Sequence, residues 1–196
     1  MPEDYAHDVF ISYTRAGPVG PWVRDLLRPQ VRDWLGQELG REPRVFIDTA
    51  IDDGAAVLPE VRRALLGSRC LLAVWSRPYG TRPWCCAEWQ SMAERQRTLA
   101  PPHPLILPVA FYGLTDSQMV TMGGEDVRVS FNFEPHSALN KGMAESPRFV
   151  SFVEEVQRVC RELARRIEHA PPFRPDFPFR DPPAEAPAAF AYPGPR

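Results

Sequence analysis

A short segment between an apolar strand and a helix, SRPYGTRPWCCAEW at residues 76–89, contains large aromatic residues, two cysteines and one acid. The acid, Glu88, is one residue away from Trp89, which corresponds to about 100° around an α-helix. Cys85, Trp89 and Met92 recur at helical spacing and form an apolar stripe, so Glu88 is predicted at the margin of that stripe. A carboxylate there could stabilise the positive charge that develops on a sugar when a glycosidic bond breaks. The alternative is a solvated acid that interacts with the helix dipole.

The two adjacent cysteines of this segment suggest a second kind of chemistry. A helix N-terminus and the nearby Arg82 would favour the thiolate form of Cys85 or Cys86, and a thiolate is a nucleophile. No motif places a histidine base beside them, and burial is the more common role of cysteine, so we expect both thiols to be packed inside. The scattered histidines also argue against a histidine-based metal site, and no glycine loop of the P-loop type is present.

The composition is typical of a globular protein without a strong charge bias. Of the 196 residues, 44% are apolar, and the formal net charge is −2. We therefore expect neither nucleic acid nor a membrane surface as a partner. The sequence shows no signal peptide and no apolar run near the ~20 residues of a membrane span. Reduced thiols and a cytoplasmic location are expected.

Predicted strands and helices alternate along the first 170 residues. Short runs of β-branched and aromatic residues predict strands, and apolar residues at helical spacing predict the helices between them. The predicted strands are 8–13, 44–48, 70–76, 104–111 and an edge strand at 127–133. The predicted helices are 22–39, with a kink or a break at Pro29, then 57–68, 84–99 and a last helix that is capped by Ser146.

This alternation predicts an α/β fold in which a parallel sheet of four to five strands has helices on both faces. We expect one domain over residues 1–170. The proline-rich residues 171–196 are expected to form a disordered tail, because such a composition cannot build a core. Ligands of parallel sheets bind at the carboxyl ends of the strands. The loops after Tyr13, Asp48 and Ser76 therefore form the candidate site.

These three loops resemble the signature regions of the TIR (Toll/interleukin-1 receptor) domain family. DVFISYTRAG at 8–17 is similar to the first box of the family. RVFIDTAIDDGAAVLPEVRRAL at 44–65 is similar to its second strand, BB loop and following helix. CLLAVWSRPYGTRPWCCAEW at 70–89 is similar to its third strand and the segment that opens the next helix. The resemblance, to the bacterial type of member, covers residues 5–168 and implies a flavodoxin-like sheet.

The resemblance also implies an enzyme. Many TIR domains are NAD+ glycohydrolases, and Glu88 matches the position of their essential acid. Nicotinamide leaves NAD+ as a neutral group, so no general acid is needed. Glu88 would instead bind the ribose hydroxyls and stabilise the oxocarbenium-like centre. The products would be nicotinamide and linear or cyclic ADP-ribose. NAD+ would be a substrate, and neither a cofactor nor a metal is expected.

Five other residues are candidates for substrate binding, and each has a structural alternative. Tyr13 and Arg15 match the loop that faces the nucleotide. Arg15 could pair with a phosphate or be a solvated loop residue. Trp84 could stack on a base, although a packing role is favoured. Asp48 and Ser76 could bind substrate or simply close their loops.

The resemblance further implies self-association. Enzymatic members act as immune or signalling effectors, often against phage, and are activated by contacts between TIR domains. Residues 48–57 would then support the site of a neighbouring protomer. The alternative is a non-catalytic module that only assembles with itself or with other TIR or signalling proteins. A receiver-like domain is a third possibility, but no acidic pair with a downstream lysine lies at the strand ends.

Overall fold

A parallel sheet forms the centre of the molecule. The computed structural model describes residues 4–48, 57–115, 129, 131–140, 142 and 146–182. Within them the sheet has five strands, all neighbours are parallel, and the order is β2-β1-β3-β4-β5. The strands are β1 (His7–Tyr13), β2 (Val45–Ile47), β3 (Ser68–Ser76), β4 (Ile106–Tyr112) and β5 (Phe131–Asn132). This is the flavodoxin-like order, so the predicted fold class is confirmed.

Helices cover both faces of the sheet. They are α1 (Val19–Trp22), α2 (Arg28–Leu39), α3 (Val57–Leu66), α4 (Pro83–Leu99) and α5 (Pro147–Glu168), with a π-helical segment at Val23–Leu27 and 3₁₀ turns at Tyr79–Thr81 and Glu134–His136. The predicted cap of α5 is present, since the Ser146 hydroxyl accepts a hydrogen bond from the N–H of Phe149. No helix in the described part of the chain combines the length and apolarity needed to cross a bilayer.

The central strands are buried on both sides. Val9 and Ile11 of β1 lie in the core cluster with α2 and α5, whereas Phe10 lies in the cluster with α3 and α4. Successive side chains of a strand point to opposite faces, so Ser12 is on the same face as Phe10. Ser12 is only 1% exposed. The fold thus brings a buried hydroxyl at the end of β1 to the face that α4 covers.

Pro29 is accommodated without an end to the helical run. The π-helical segment Val23–Leu27 precedes α2, and the N–H of Arg28 donates to the carbonyl of Val23, five residues earlier. A widened turn of this kind accommodates a residue that has no N–H and whose ring crowds the preceding turn. The predicted break therefore takes the form of two α-helices joined by a π-helical segment.

The predicted edge strand is present at Phe131–Asn132. Its described part is β5, which pairs in parallel with β4 at Val109–Phe131 and Ala110–Asn132. Residues 127, 128 and 130 of the predicted strand lie outside the described residues.

The first part of the proline-rich segment differs from the expectation of a disordered tail. Residues 171–182 lie against the domain: Phe177 is 7% exposed, and the N–H of Arg180 donates to the Ser91 hydroxyl at 2.8 Å. The aromatic residues between the prolines supply apolar surface that the domain buries, which the composition argument did not weigh. Residues 183–196 lie outside the described residues.

Candidate functional site

The candidate site is centred on Glu88, at the carboxyl end of the sheet. α4 begins at Pro83, after the extended residue Arg82, and Glu88 lies in its second turn. The side chain of Glu88 faces inward and is only 5% exposed. Glu88 is therefore not the solvated acid of the alternative interpretation. Its carboxyl group lies between α4 and the end of β1.

Two hydroxyl groups hold the Glu88 carboxyl. Ser12 Oγ donates a hydrogen bond to Glu88 Oε2 at 2.5 Å. The hydroxyl of Tyr79, in the 3₁₀ turn before α4, lies 2.7 Å from Ser12 Oγ. Each of the three residues comes from a different element, so the packing of β1 against α4 and its preceding turn sets the position of the carboxyl group.

The surroundings of Glu88 bring its pKa close to neutral pH. Burial raises the pKa of Glu88 to about 7, while the Ser12 hydrogen bond and the charge of Arg15 act in the opposite direction. A buried carboxyl loses the solvation of its charged form, and this loss is the main cause of the shift. Both the neutral and the ionised forms of Glu88 are therefore populated at physiological pH.

Three of the predicted binding residues come together beside this carboxyl. Arg15, just after β1, forms an ion pair with Asp48, just after β2. The Tyr13 hydroxyl donates to the backbone carbonyl of Asp48 at 2.9 Å. Asp48 therefore ties the ends of two adjacent strands together. The Arg15 side chain remains 30% exposed, so its guanidinium is held at the surface of the site.

The other two predicted binding residues have structural contacts. The Ser76 hydroxyl donates to Thr14 Oγ1 at 3.3 Å and is buried, so it links the ends of β3 and β1. Trp84 is half-buried and packs against the apolar cluster of α3 and α4. These contacts agree with the loop-closing and packing alternatives, although the partly exposed Trp84 still lies within a turn of Glu88.

The cysteines of α4 are not arranged as nucleophiles. Cys85 and Cys86 are free and buried. Burial raises the pKa of Cys85 well above its ordinary value and that of Cys86 to about 11. Both thiols therefore stay protonated at neutral pH, as the prediction of packed cysteines requires. Among the described residues, no group of three or more histidine, cysteine, aspartate or glutamate side chains is arranged to hold a metal ion.

Sequence reasoning missed three residues of this site. Ser12 reads as part of an apolar strand and Tyr79 as a packing residue with a polar tip, and no motif marks Arg24. In the structure burial raises the pKa of Tyr13, and the positive charge of Arg24, in the π-helical segment, acts in the opposite direction. One signal was available for Ser12: strand alternation places it beside Phe10, toward the helix that carries Glu88.

Comparisons with known proteins bear on the family. The family model described as TIR domain matches residues 9–141. Among solved structures, the chain is similar to the TIR domains of the activated Roq1 resistosome that directly recognises the pathogen effector XopQ. The two are 18% identical with a TM-score of 0.42, and the match covers 82% of this chain and 84% of that one. No curated protein matches this sequence.

Proposed function

This chain belongs to the TIR-domain family, and we propose that it is a NAD+ glycohydrolase in which Glu88 is the catalytic residue. The observation that carries the proposal is the buried Glu88 carboxyl, which accepts a 2.5 Å hydrogen bond from Ser12 at the carboxyl end of the sheet. This edge of a parallel sheet is where a nucleotide binds in folds of this class.

The proposed reaction breaks the bond between ribose C1′ and the nicotinamide nitrogen. The bonding electrons leave with nicotinamide, whose ring becomes neutral, and C1′ becomes an oxocarbenium-like centre. Water then attacks C1′ and releases a proton, which gives ADP-ribose. Attack by a nucleophilic atom of the ADP-ribose itself would give a cyclic product instead.

Glu88 would lower the barrier by electrostatic stabilisation. A carboxylate close to C1′ stabilises the developing charge most strongly where water is excluded, and Glu88 is 5% exposed. The Ser12 hydrogen bond engages Oε2, so we assign the second oxygen, Oε1, to the ribose hydroxyls. This chemistry requires the ionised form of Glu88, and the positive charge of the nicotinamide ring in bound NAD+ favours that form.

The arginines at the edge of the site would bind the diphosphate of NAD+. Arg15 is partly exposed and paired with Asp48, and the charge of Arg24 acts on the Tyr13 hydroxyl that anchors the same loop. Phosphate oxygens are strong acceptors for guanidinium groups. A diphosphate bound here would exchange part of the Asp48 pairing for contacts with substrate.

We further propose that self-association activates the enzyme, as the family resemblance implies. The segment expected to support a neighbouring protomer, residues 48–57, lies mostly outside the described residues, since 49–56 are not described. Because the assembled fraction grows with protein concentration, activity should rise more steeply than linearly with that concentration.

The test is release of nicotinamide from NAD+ by the purified protein over a wide range of protein concentrations. Glu88→Gln keeps the size of the side chain and should reduce the rate by about a hundredfold or more. Glu94→Gln makes the same change at a partly exposed position of the same helix and should retain activity. Absence of nicotinamide release by the wild-type protein at every concentration would overturn the proposal and favour a non-catalytic assembly module.

A further inference from the structure

Tyr79, Ser12 and Glu88 form a buried line of hydrogen-bonding groups. The Tyr79 hydroxyl lies 2.7 Å from Ser12 Oγ, and Ser12 Oγ lies 2.5 Å from Glu88 Oε2. Their exposed fractions are 2%, 1% and 5%. Because little water reaches these groups, the direction of each hydrogen bond is set mainly by the protons that the three side chains carry.

The protons of this line can point in only one direction when Glu88 is ionised. A serine hydroxyl has one proton, and Ser12 donates it to the Glu88 carboxylate at a distance typical of a charge-assisted bond. Ser12 Oγ must then be the acceptor in its bond with Tyr79. The Tyr79 proton is retained at neutral pH, because burial raises the pKa of this phenol well above its ordinary value.

We infer that Tyr79 is a positioning residue of the proposed hydrolase: by donating to Ser12 it keeps the hydroxyl of Ser12 directed at Glu88 Oε2 and so favours the ionised carboxylate that the reaction needs. This inference rests on the proposed function. Hydrogen bonds in a chain polarise one another, so a donor at Tyr79 strengthens the bond from Ser12 to Glu88. A phenylalanine at this position would fill the same space without this effect.

The other groups around Glu88 do not replace this donor. Arg15 supplies a positive charge from the loop after β1 and also favours the ionised form. Among the described residues, the remaining titratable groups that interact with Glu88 are the phenol of Tyr13 and the thiols of Cys85 and Cys86. Burial keeps all three protonated and uncharged at neutral pH, so none of them favours the ionised form of Glu88. The hydrogen bonds of Tyr79 and Ser12 and the charge of Arg15 favour it.

The two hydroxyls should contribute in a graded way. Ser12→Ala removes the hydrogen bond to the carboxylate itself and should raise the pKa of Glu88 by about one to two units. Tyr79→Phe removes only the donor behind it and should raise that pKa by a smaller amount, up to about one unit. A tyrosine that served only to fill space would leave the pKa unchanged when its hydroxyl was removed.

The experiment measures the ionisation of Glu88 directly and beside activity. Protein labelled with ¹³C at the glutamate carboxyls is titrated by NMR, and Glu88→Gln identifies the Glu88 signal. The pH dependence of nicotinamide release is measured on the same samples. The control is Tyr5→Phe, which removes another buried hydroxyl, one that donates to the Pro171 carbonyl at 2.8 Å. We expect both midpoints to move to higher pH in Tyr79→Phe and Ser12→Ala, and neither to move in Tyr5→Phe.

The outcomes separate this inference from the proposed function. Nicotinamide release with unchanged Glu88 titration and pH profile in Tyr79→Phe would overturn the inference alone. No release by the wild-type protein would overturn both. A shifted NMR titration together with a shifted pH profile, in a variant whose thermal unfolding matches that of the wild type, would support both.

Discussion

The guanidinium of Arg95 lies over the ring of Phe177, with 3.9 Å between the guanidinium carbon and the ring centroid. Arg95 is 1% exposed and donates to the carbonyls of Leu65, Leu66 and Ser68, where α3 ends and β3 begins. Burial lowers the pKa of Arg95 to about 10, so it stays charged at neutral pH. Phe177 thus shields a buried cation that joins two elements of the fold.

Removal of the Phe177 ring should weaken the domain, although this residue lies in the proline-rich segment. Phe177→Ala should lower the free energy of unfolding by about 2 to 4 kcal/mol, because it removes a packed ring and its interaction with Arg95. Urea denaturation measures this. The control Val150→Ala truncates a side chain that is 59% exposed and should change stability by less than about 0.5 kcal/mol. If Phe177→Ala changed stability as little as Val150→Ala, the result would contradict the packing of residues 171–182 against the domain.

Local patterns predicted most of the fold because each reports burial of the residues that form it. Residues 71–75 of β3 are all 0% exposed, and a strand covered on both faces must be apolar almost throughout. The run CLLAVWS therefore identified a central strand. The amphipathic pattern after Ser146 identified α5 in the same way, since its apolar residues mark the face that packs on the sheet.

Contacts between distant residues were not predictable from such patterns. Ser12 and Glu88 are separated by 76 positions in the chain, and periodicity places each on a face without saying which side chain it meets. Glu88 was predicted at the margin of the apolar face, but it is buried because Tyr79 and the end of β1 pack against it. Composition likewise counted the prolines after residue 170 but could not reveal that Phe177 meets Arg95.

Asp8, at the start of β1, links the stability of the sheet to pH. It is fully buried and accepts hydrogen bonds from the Arg41 guanidinium at 2.8 and 2.7 Å and from the Arg44 N–H at 2.8 Å. Burial acts to raise the pKa of Asp8, but these bonds and the arginine charges outweigh it and hold the pKa below its ordinary value. Such a carboxyl stabilises the fold above its unfolded-state pKa and loses this effect as the pH falls through its folded-state pKa.

Asp8→Asn should therefore lower the free energy of unfolding at neutral pH by about 2 kcal/mol. The difference from the wild type should shrink as the pH falls below about 4, because the wild-type carboxyl then becomes protonated and is neutral like the amide. Urea denaturation at a series of pH values measures both effects. Asp33→Asn, at an exposed position of α2, should change stability little at any pH. A difference for Asp8→Asn that persists undiminished in acid would exclude the carboxylate as its cause.

Arg15 should act mainly on binding of NAD+. Loss of one charge-assisted hydrogen bond to a phosphate corresponds to about a ten- to hundredfold weaker interaction, so Arg15→Gln should raise KM by about this factor. Steady-state kinetics measure KM and kcat separately. Arg32→Gln removes a positive charge from an exposed position of α2 and should leave KM unchanged at constant ionic strength. An equal rise of KM in both variants would indicate a general effect of charge instead of a contact with substrate.

The raised pKa of Glu88 implies that this residue reduces stability when it is ionised. Burial raises its pKa to about 7. At pH values between its unfolded-state pKa and this folded-state pKa, Glu88 is protonated in the folded protein but ionised in the unfolded chain. Stability should then fall as the pH rises across this interval and level off above it. A shift of this size corresponds to a destabilisation on the order of 3 kcal/mol above about pH 8.

Glu88→Gln should therefore make the protein more stable at about pH 8 although it strongly reduces the proposed activity. The gain in stability arises because the neutral amide accepts the Ser12 hydrogen bond without the cost of a buried charge. At about pH 5, where the wild-type carboxyl is itself neutral in the folded state, the gain should nearly vanish. Thermal and urea unfolding at the two pH values measure the gain. Glu94→Gln, on the same helix but 25% exposed, should show no comparable difference. A stabilisation by Glu88→Gln of equal size at both pH values would show that relief of buried charge is not its origin.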